Sequence, residues 1–164
     1  IVKGVNLTQC IFFDINENTN EEDILKDIYN VYFGKTEINI NEDTSIKVVD
    51  VNFKNKYSGF NSSNNNNPKI LTTIMSIINY IIKENYEPNT LFAFESLKSE
   101  DDKKKQNKNS KTSRETIYKK ILKMHNLDYT TAYPYDGDAI YTVFSPNKSV
   151  IEKLKKQLEE INDN

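Results

Sequence analysis

Arg114 is the single arginine among 22 basic residues, in a chain that also carries 23 asparagines and many lysines and isoleucines. AT-rich coding DNA produces that bias. Where coding favours lysine, a retained guanidinium points to work an ammonium cannot do, such as planar bidentate pairing, although chance retention competes with that reading. Arg114 falls in the first turn of a predicted helix, where a cation opposes the helix dipole. A carboxylate is therefore expected to hold it, and Glu95 on the preceding strand is the candidate for a bidentate pair. Such a pair is structural on the plainer reading and phosphate-binding on the other, and the structural one is preferred. His125 has no Ser, Cys or Asp pattern around it that would make a triad or a metal set, and reads as a residue at a helix C-terminus. Asp136 and Asp138 flank Gly137 as hairpin turns require, and a metal needs more oxygen ligands than these offer, so no metal site is expected. Lys103 to Lys105, with Lys108 and Lys111, could touch nucleic acid. Glu100, Asp101 and Asp102 precede them and no aromatic is interleaved for stacking, so a solvated loop is preferred.

The 164 residues suit one domain with a real core. A formal net charge of -2 gives no chain-wide basic field, so nucleic acid is not an expected partner. Cys10 is the only cysteine and cannot form an internal disulfide. No window approaches the roughly 18 apolar residues of a membrane span, and no charged-then-apolar leader opens the sequence. Those features suggest a soluble, reducing compartment and no membrane partner. The first residue is Ile1 rather than Met, which leaves room for a preceding segment.

The elements that must position these residues follow from periodicity. Val2 to Ile15 reads as a strand, and Glu21 to Phe33 as a short helix with Ile24, Leu25, Ile28, Tyr29 and Tyr32 at helical spacing and Gly34 just past its end. Thr36 to Ile40 and Ser45 to Phe53 form a hairpin across residues 41–44. Lys54 to Asn67 is loop by composition. Asn67 and Pro68 then make an N-cap and N1 pair, opening a helix to Glu84 on which Ile70, Leu71, Ile74, Ile77, Ile78, Ile81 and Ile82 form a broad apolar face. Thr90 to Glu95 is an interior strand, which completes a βαβ unit. Residues 97–111 are a mobile, solvated loop. Thr112 and Glu115 form a capping box for a helix that ends near Asn126. Tyr129 to Tyr135 and Ala139 to Phe144 flank Asp136-Gly137-Asp138 as a terminal hairpin. Lys148 to Ile161 is an amphipathic helix whose seam of Ile151, Leu154, Leu158 and Ile161 packs either on its own sheet or on a partner.

The order β, α, β, β, α, β, α, β, β, α resembles that of the GNAT-type N-acetyltransferase fold. The residues that carry the likeness are Val48 to Phe53, the loop before Pro68, Lys69 to Ile82, Leu91 to Ser96 and Ser113 to Met124. A strand ending Phe92-x-Phe94, followed by a helix reading Ser113-Arg114-x-x-x-Tyr118, is similar more narrowly to small GNAT-like proteins encoded by tailed bacteriophages. The likeness covers about Val48 to Phe144. It implies that Tyr118 protonates a departing coenzyme A thiolate, a role that a phenol protonated near neutral pH can fill. The plainer reading makes Tyr118 one of ten tyrosines, on the buried face of its helix. The resemblance also implies that backbone amides of Asn66, Asn67, Lys69 and Ile70 receive the pyrophosphate of an acyl-CoA. The family's loop uses glycine there, whereas this chain has Ser58-Gly59 and then Asn64 to Pro68, with no glycine in the last turn. An asparagine-rich surface loop is the competing reading.

The expected fold class is thus α+β, a mixed and mostly antiparallel sheet with a central βαβ unit and helices on both faces, spanning residues 1–146 and followed by a C-terminal helix at 147–164. Two functions are carried forward. One is a non-catalytic structural or interaction module without a cofactor, phage-encoded and a component of the virion or host cytoplasm, with a protein partner docked on the C-terminal helix. The other is an acyl-CoA-dependent N-acyltransferase using acetyl-CoA, with Tyr118 as general acid and a base still to be found.

Overall fold

The computed structural model describes residues 7–8, 29–55, 68–97 and 113–162, and its elements are mixed α and β. In chain order they are β1 (Leu7–Thr8), β2 (Tyr29–Asn39), β3 (Ser45–Asn55), α1 (Pro68–Asn85), β4 (Phe92–Leu97), α2 (Ser113–Met124), β5 (Asp128–Ala132), β6 (Ala139–Ser145) and α3 (Lys148–Asn162). The hydrogen-bonded strand order is β1-β2-β3-β4-β6-β5. Two compact units divide the chain, one within residues 1–34 and 51–86 and the other within 35–50 and 87–164.

In the first unit β1 pairs antiparallel with β2, Leu7 opposite Tyr32 and Thr8 opposite Val31. Here the structure corrects the predicted helix over Glu21 to Phe33, because Tyr29 to Phe33 is strand. Tyr29, Val31 and Phe33 are buried and alternate with the half-buried Asn30, Tyr32 and Gly34. That is the period of two expected of a pleated strand rich in aromatic and β-branched side chains. Residues 21–28 and the rest of the strand expected at Val2 to Ile15 lie outside the described residues. Helix α1 buries Leu71, Ile74, Met75, Ile78, Ile81 and Ile82, a single stripe of helical period. Its end is tied down by the Asn85 side chain, which donates to the Ile81 carbonyl at 2.9 Å. Beyond it the Tyr86 ring stacks on Phe33 with centroids 5.8 Å apart.

The second unit holds the tip of the β2–β3 hairpin. Thr44 O accepts from Ile40 N–H at 3.0 Å, and the Asn41 side chain caps Asp43 N–H at 2.9 Å. A connection this short can only join antiparallel neighbours. β3 continues parallel to β4 through two residue pairs, Val49 with Phe92 and Asp50 with Ala93. β4 then pairs antiparallel with β6 over six positions, and β6 with β5 over five. Successive strand residues point to opposite faces, so the alternation along β4 separates two layers. Ala93 joins Val143, Ala132, Ile38, Ile46 and Val48 against Ile151, Leu154 and Leu158 of α3. Phe92 and Phe94 face the other way with Phe144, and there the Tyr118 ring of α2 stacks on Phe94. Helices α2 and α3 therefore cover opposite faces of this part of the sheet.

Both helices have readable ends. At the end of α2, Leu127 N–H donates to Leu122 O and Asn126 N–H to Lys123 O, a Schellman closure with Asn126 in the left-handed region at φ 56°. At the start of α3, Asn147 Oδ1 accepts from Ser149 N–H at 3.1 Å and from the Ser149 hydroxyl at 2.7 Å. Asn147→Ala is expected to lower unfolding free energy by about 1 kcal/mol, measured by denaturant titration, because a helix N-terminus loses its cap. The predicted β5 is also shortened. It stops at Ala132 instead of Tyr135, since Pro134 cannot donate to a ladder, and the Tyr135 N–H turns to Asn39 O at 3.0 Å. Gly137 at φ 81° makes the turn that the Asp-Gly pair foretold. As to the final helix, its seam of Ile151, Leu154 and Leu158 is taken up by its own sheet. Among the described residues no helix is long and apolar enough to cross a membrane.

Candidate functional site

Asp50 is the charged residue that the fold of the second unit leaves least explained. It follows the buried Ile46 and Val48 on the face of β3 that turns toward α3, and the exposed Asn52 and Lys54 continue that face beyond it. Its Oδ1 is buried with no hydrogen-bond partner among the described residues. Burial pushes the carboxyl up from 3.8 to about 6, and the nearby Glu95 carboxylate adds to the rise. Two carboxylates thus share one face, since Asp50 pairs with Ala93 across the parallel ladder and Glu95 stands two residues further along β4. Tyr141, opposite Glu95 on β6, belongs to the same face. Its phenol is raised by burial first, then by Glu95, Asp50 and Asp136.

Tyr118 approaches the same carboxylates from the other face. Its ring lies 4.6 Å from that of Phe94 with planes 16° apart, and the residue is 5% exposed. Burial pushes its phenol up to about 12; Arg114 pulls it back, while Asp50 and Glu95 push it further up. The phenol is therefore protonated across the whole neutral range. Asp50 is mostly ionised at pH 7 but close enough to its pKa to take up and release a proton. A protonated donor and an underhydrated acceptor, coupled through space, are what acid–base chemistry requires.

The sequence-derived residues fall as follows. Tyr118, Glu95 and Arg114 belong to one electrostatic cluster, and the charge of Arg114 reaches Tyr118. Ser113 is the first residue of α2. Lys69 and Ile70 are in the first turn of α1, in the other unit, while Asn66 and Asn67 lie outside the described residues, as do residues 98–111. Thr112, the expected N-cap, lies outside them as well. Glu115, its partner in the expected capping box, is completely buried and bonded to Lys119 at 2.5 Å. His125 follows α2 with Nε2 buried and unbonded among the described residues, and burial lowers its pKa. Among the described residues no three His, Cys, Asp or Glu side chains cluster as a metal would need. Asp50 itself was not among the sequence candidates. Its signal was a carboxylate in register with Ile46 and Val48 inside the run Val48-Val49-Asp50-Val51.

Known protein families, characterised proteins and solved structures yield no match to this chain. The chemistry of the cluster must speak for itself.

Proposed function

We propose that the chain is an acyl-CoA-dependent N-acyltransferase of GNAT type, in which Tyr118 is the general acid and Asp50 the base. The observation that carries this reading is the buried Asp50 oxygen, unbonded among the described residues, on one sheet face with Glu95, its carboxyl raised to about 6 and its charge felt by the Tyr118 phenol on the other face. A carboxylate kept short of hydrogen bonds costs stability, and proteins tolerate such defects chiefly where function needs them. As the acceptor amine attacks the thioester carbonyl and the C–N bond forms, its nitrogen becomes acidic and sheds a proton to Asp50. Tyr118 gives its proton to the sulfur as the C–S bond breaks. Net, one proton moves from amine to thiol, and solvent returns the Asp50 proton to Tyr118. Glu95 keeps Asp50 basic by like-charge repulsion.

The non-catalytic module is the second reading, phage-encoded and structural or partner-binding, and a separate observation favours it. Tyr118 is nearly inaccessible and stacked as a core aromatic. The loop before α1 also lacks the glycine that the family's pyrophosphate cradle uses. Calorimetry with acetyl-CoA separates the two. The acyltransferase binds acetyl-CoA, and Tyr118→Phe retains binding while losing thiol release with an amine acceptor. No heat of binding at millimolar acetyl-CoA sinks the enzyme reading.

A further inference from the structure

A second site with different chemistry lies at the other functional extreme of charge. The end of α2, the start of β5 and one side of α3 line a shallow, open cavity of about 440 Å³, with its lysines exposed to solvent. Lys123 enters from the last turn of α2, Lys148 from the first residue of α3, and Lys155 from the same side of that helix seven residues on. Asp128 is the single carboxylate on the wall among the described residues, and Tyr129 provides an aromatic surface. Three lysines against one carboxylate leave two net positive charges in a chain whose net charge is -2.

Helix electrostatics account for only part of this. Lys123 suits a helix C-terminus, but Lys148 stands at the N-terminus of α3, where the dipole repels a cation. Among the described residues none of the three lysine ammonium groups has an ion-pair or hydrogen-bond partner, and Glu152, between Lys148 and Lys155 on the helix, does not line the cavity. Like charges along one groove favour the entry of an anion, to the extent that solvent screening of these exposed side chains allows. Asn126 fixes the floor, since its left-handed closure of α2 turns the chain directly into β5.

We propose that this cavity binds a small anion carrying phosphoryl groups with at least two negative charges. A carboxylate would neutralise only half of the excess, and lysines approaching from separate segments suit the several oxygens of a phosphoryl group. The cavity exceeds one phosphate in size, which favours a diphosphate or a nucleotide whose base lies against Tyr129.

The test is titration of the full chain with inorganic phosphate, pyrophosphate and ADP, followed by calorimetry and by backbone amide shifts at Asn126 to Tyr129 and Lys148 to Ser149. Saturable pyrophosphate binding is expected, tighter than phosphate. It should fall at least about tenfold in Lys148→Gln/Lys155→Gln, since charge-assisted hydrogen bonds are lost, and weaken when salt is raised. Lys83→Gln, at the end of α1, should leave it unchanged. ADP binding tighter than pyrophosphate assigns the remaining volume to a nucleotide, and equal affinity assigns the site to the diphosphate alone. No saturable binding at millimolar pyrophosphate, or binding indifferent to the double substitution in a variant with native circular dichroism, overturns the proposal. Tyr118→Phe should leave pyrophosphate affinity unaltered, which keeps this site separable from the acyltransferase reading.

Discussion

Tyr118→Ala is expected to lower the free energy of unfolding by about 3–5 kcal/mol, while Tyr118→Phe costs about 1 kcal/mol or less. The difference follows from where the ring sits. Phe94 stacks on Tyr118 with centroids at 4.6 Å and on Phe144 at 4.9 Å, so the ring closes a three-member aromatic column between α2 and the sheet. Alanine opens a cavity in that column; phenylalanine keeps it filled. Since whole domains are stable by only about 5–15 kcal/mol, the alanine variant should unfold at much lower denaturant concentration. Equilibrium urea unfolding of the two variants makes the comparison. If both cost the same, the hydroxyl rather than the ring holds α2 in place. The phenylalanine variant, folded but without its proton, is thus the right probe of chemistry at this position.

Asp50→Asn is expected to do two opposite things. Under the proposed acyltransferase function, acylation should fall by about 10²–10⁴, the usual worth of a positioned acid or base. Stability at pH 7 to 8 should rise. The sign comes from the raised pKa: between 3.8 and about 6 the folded state binds a proton that the unfolded chain has already released, so stability drops as pH climbs through that window. Below it the aspartate carries no penalty, and above it the penalty is complete. A shift of this size corresponds to about 3 kcal/mol, which solvent screening of a half-buried group reduces to about 1–2 kcal/mol. Melting curves at pH 4 and pH 7.5 should therefore show a gain for the variant only at the higher pH. A variant that is less stable at both would mean that Asp50 is held by its surroundings rather than strained by them. Gain of stability with loss of activity is the pattern of a residue kept for function.

Much of this architecture was legible because the helices carry unambiguous periods. Pro68 opens α1, and Leu71, Ile74, Ile78, Ile81 and Ile82 repeat as one stripe. Ile151, Leu154 and Leu158 do the same in α3. Tyr29 to Phe33 is ambiguous in the sequence because two periods fit the same letters. Ile28, Tyr29 and Tyr32 satisfy a helix, while Tyr29, Val31 and Phe33 satisfy a strand, and the aromatic and β-branched density should have decided for the strand. Tyr135 was assigned to a strand that Pro134 ends. In the candidate site, Tyr118, Arg114 and Glu95 could be named from a local pattern along the chain. Asp50 could not, because its significance depends on parallel pairing with Ala93, which brings Glu95 onto its face across 45 residues of sequence. A long-range register of this kind leaves only a faint local trace, here a lone carboxylate between valines.

The central claim is that Asp50 is a desolvated carboxyl, raised further by Glu95 and poised to accept a proton. Carbon-detected NMR titration of its side-chain carboxyl tests that most directly, with Glu95→Gln as the companion variant. A midpoint near pH 6 that moves down when Glu95 is neutralised is the expected result. A midpoint near the ordinary 3.8, unmoved by Glu95→Gln, contradicts the account.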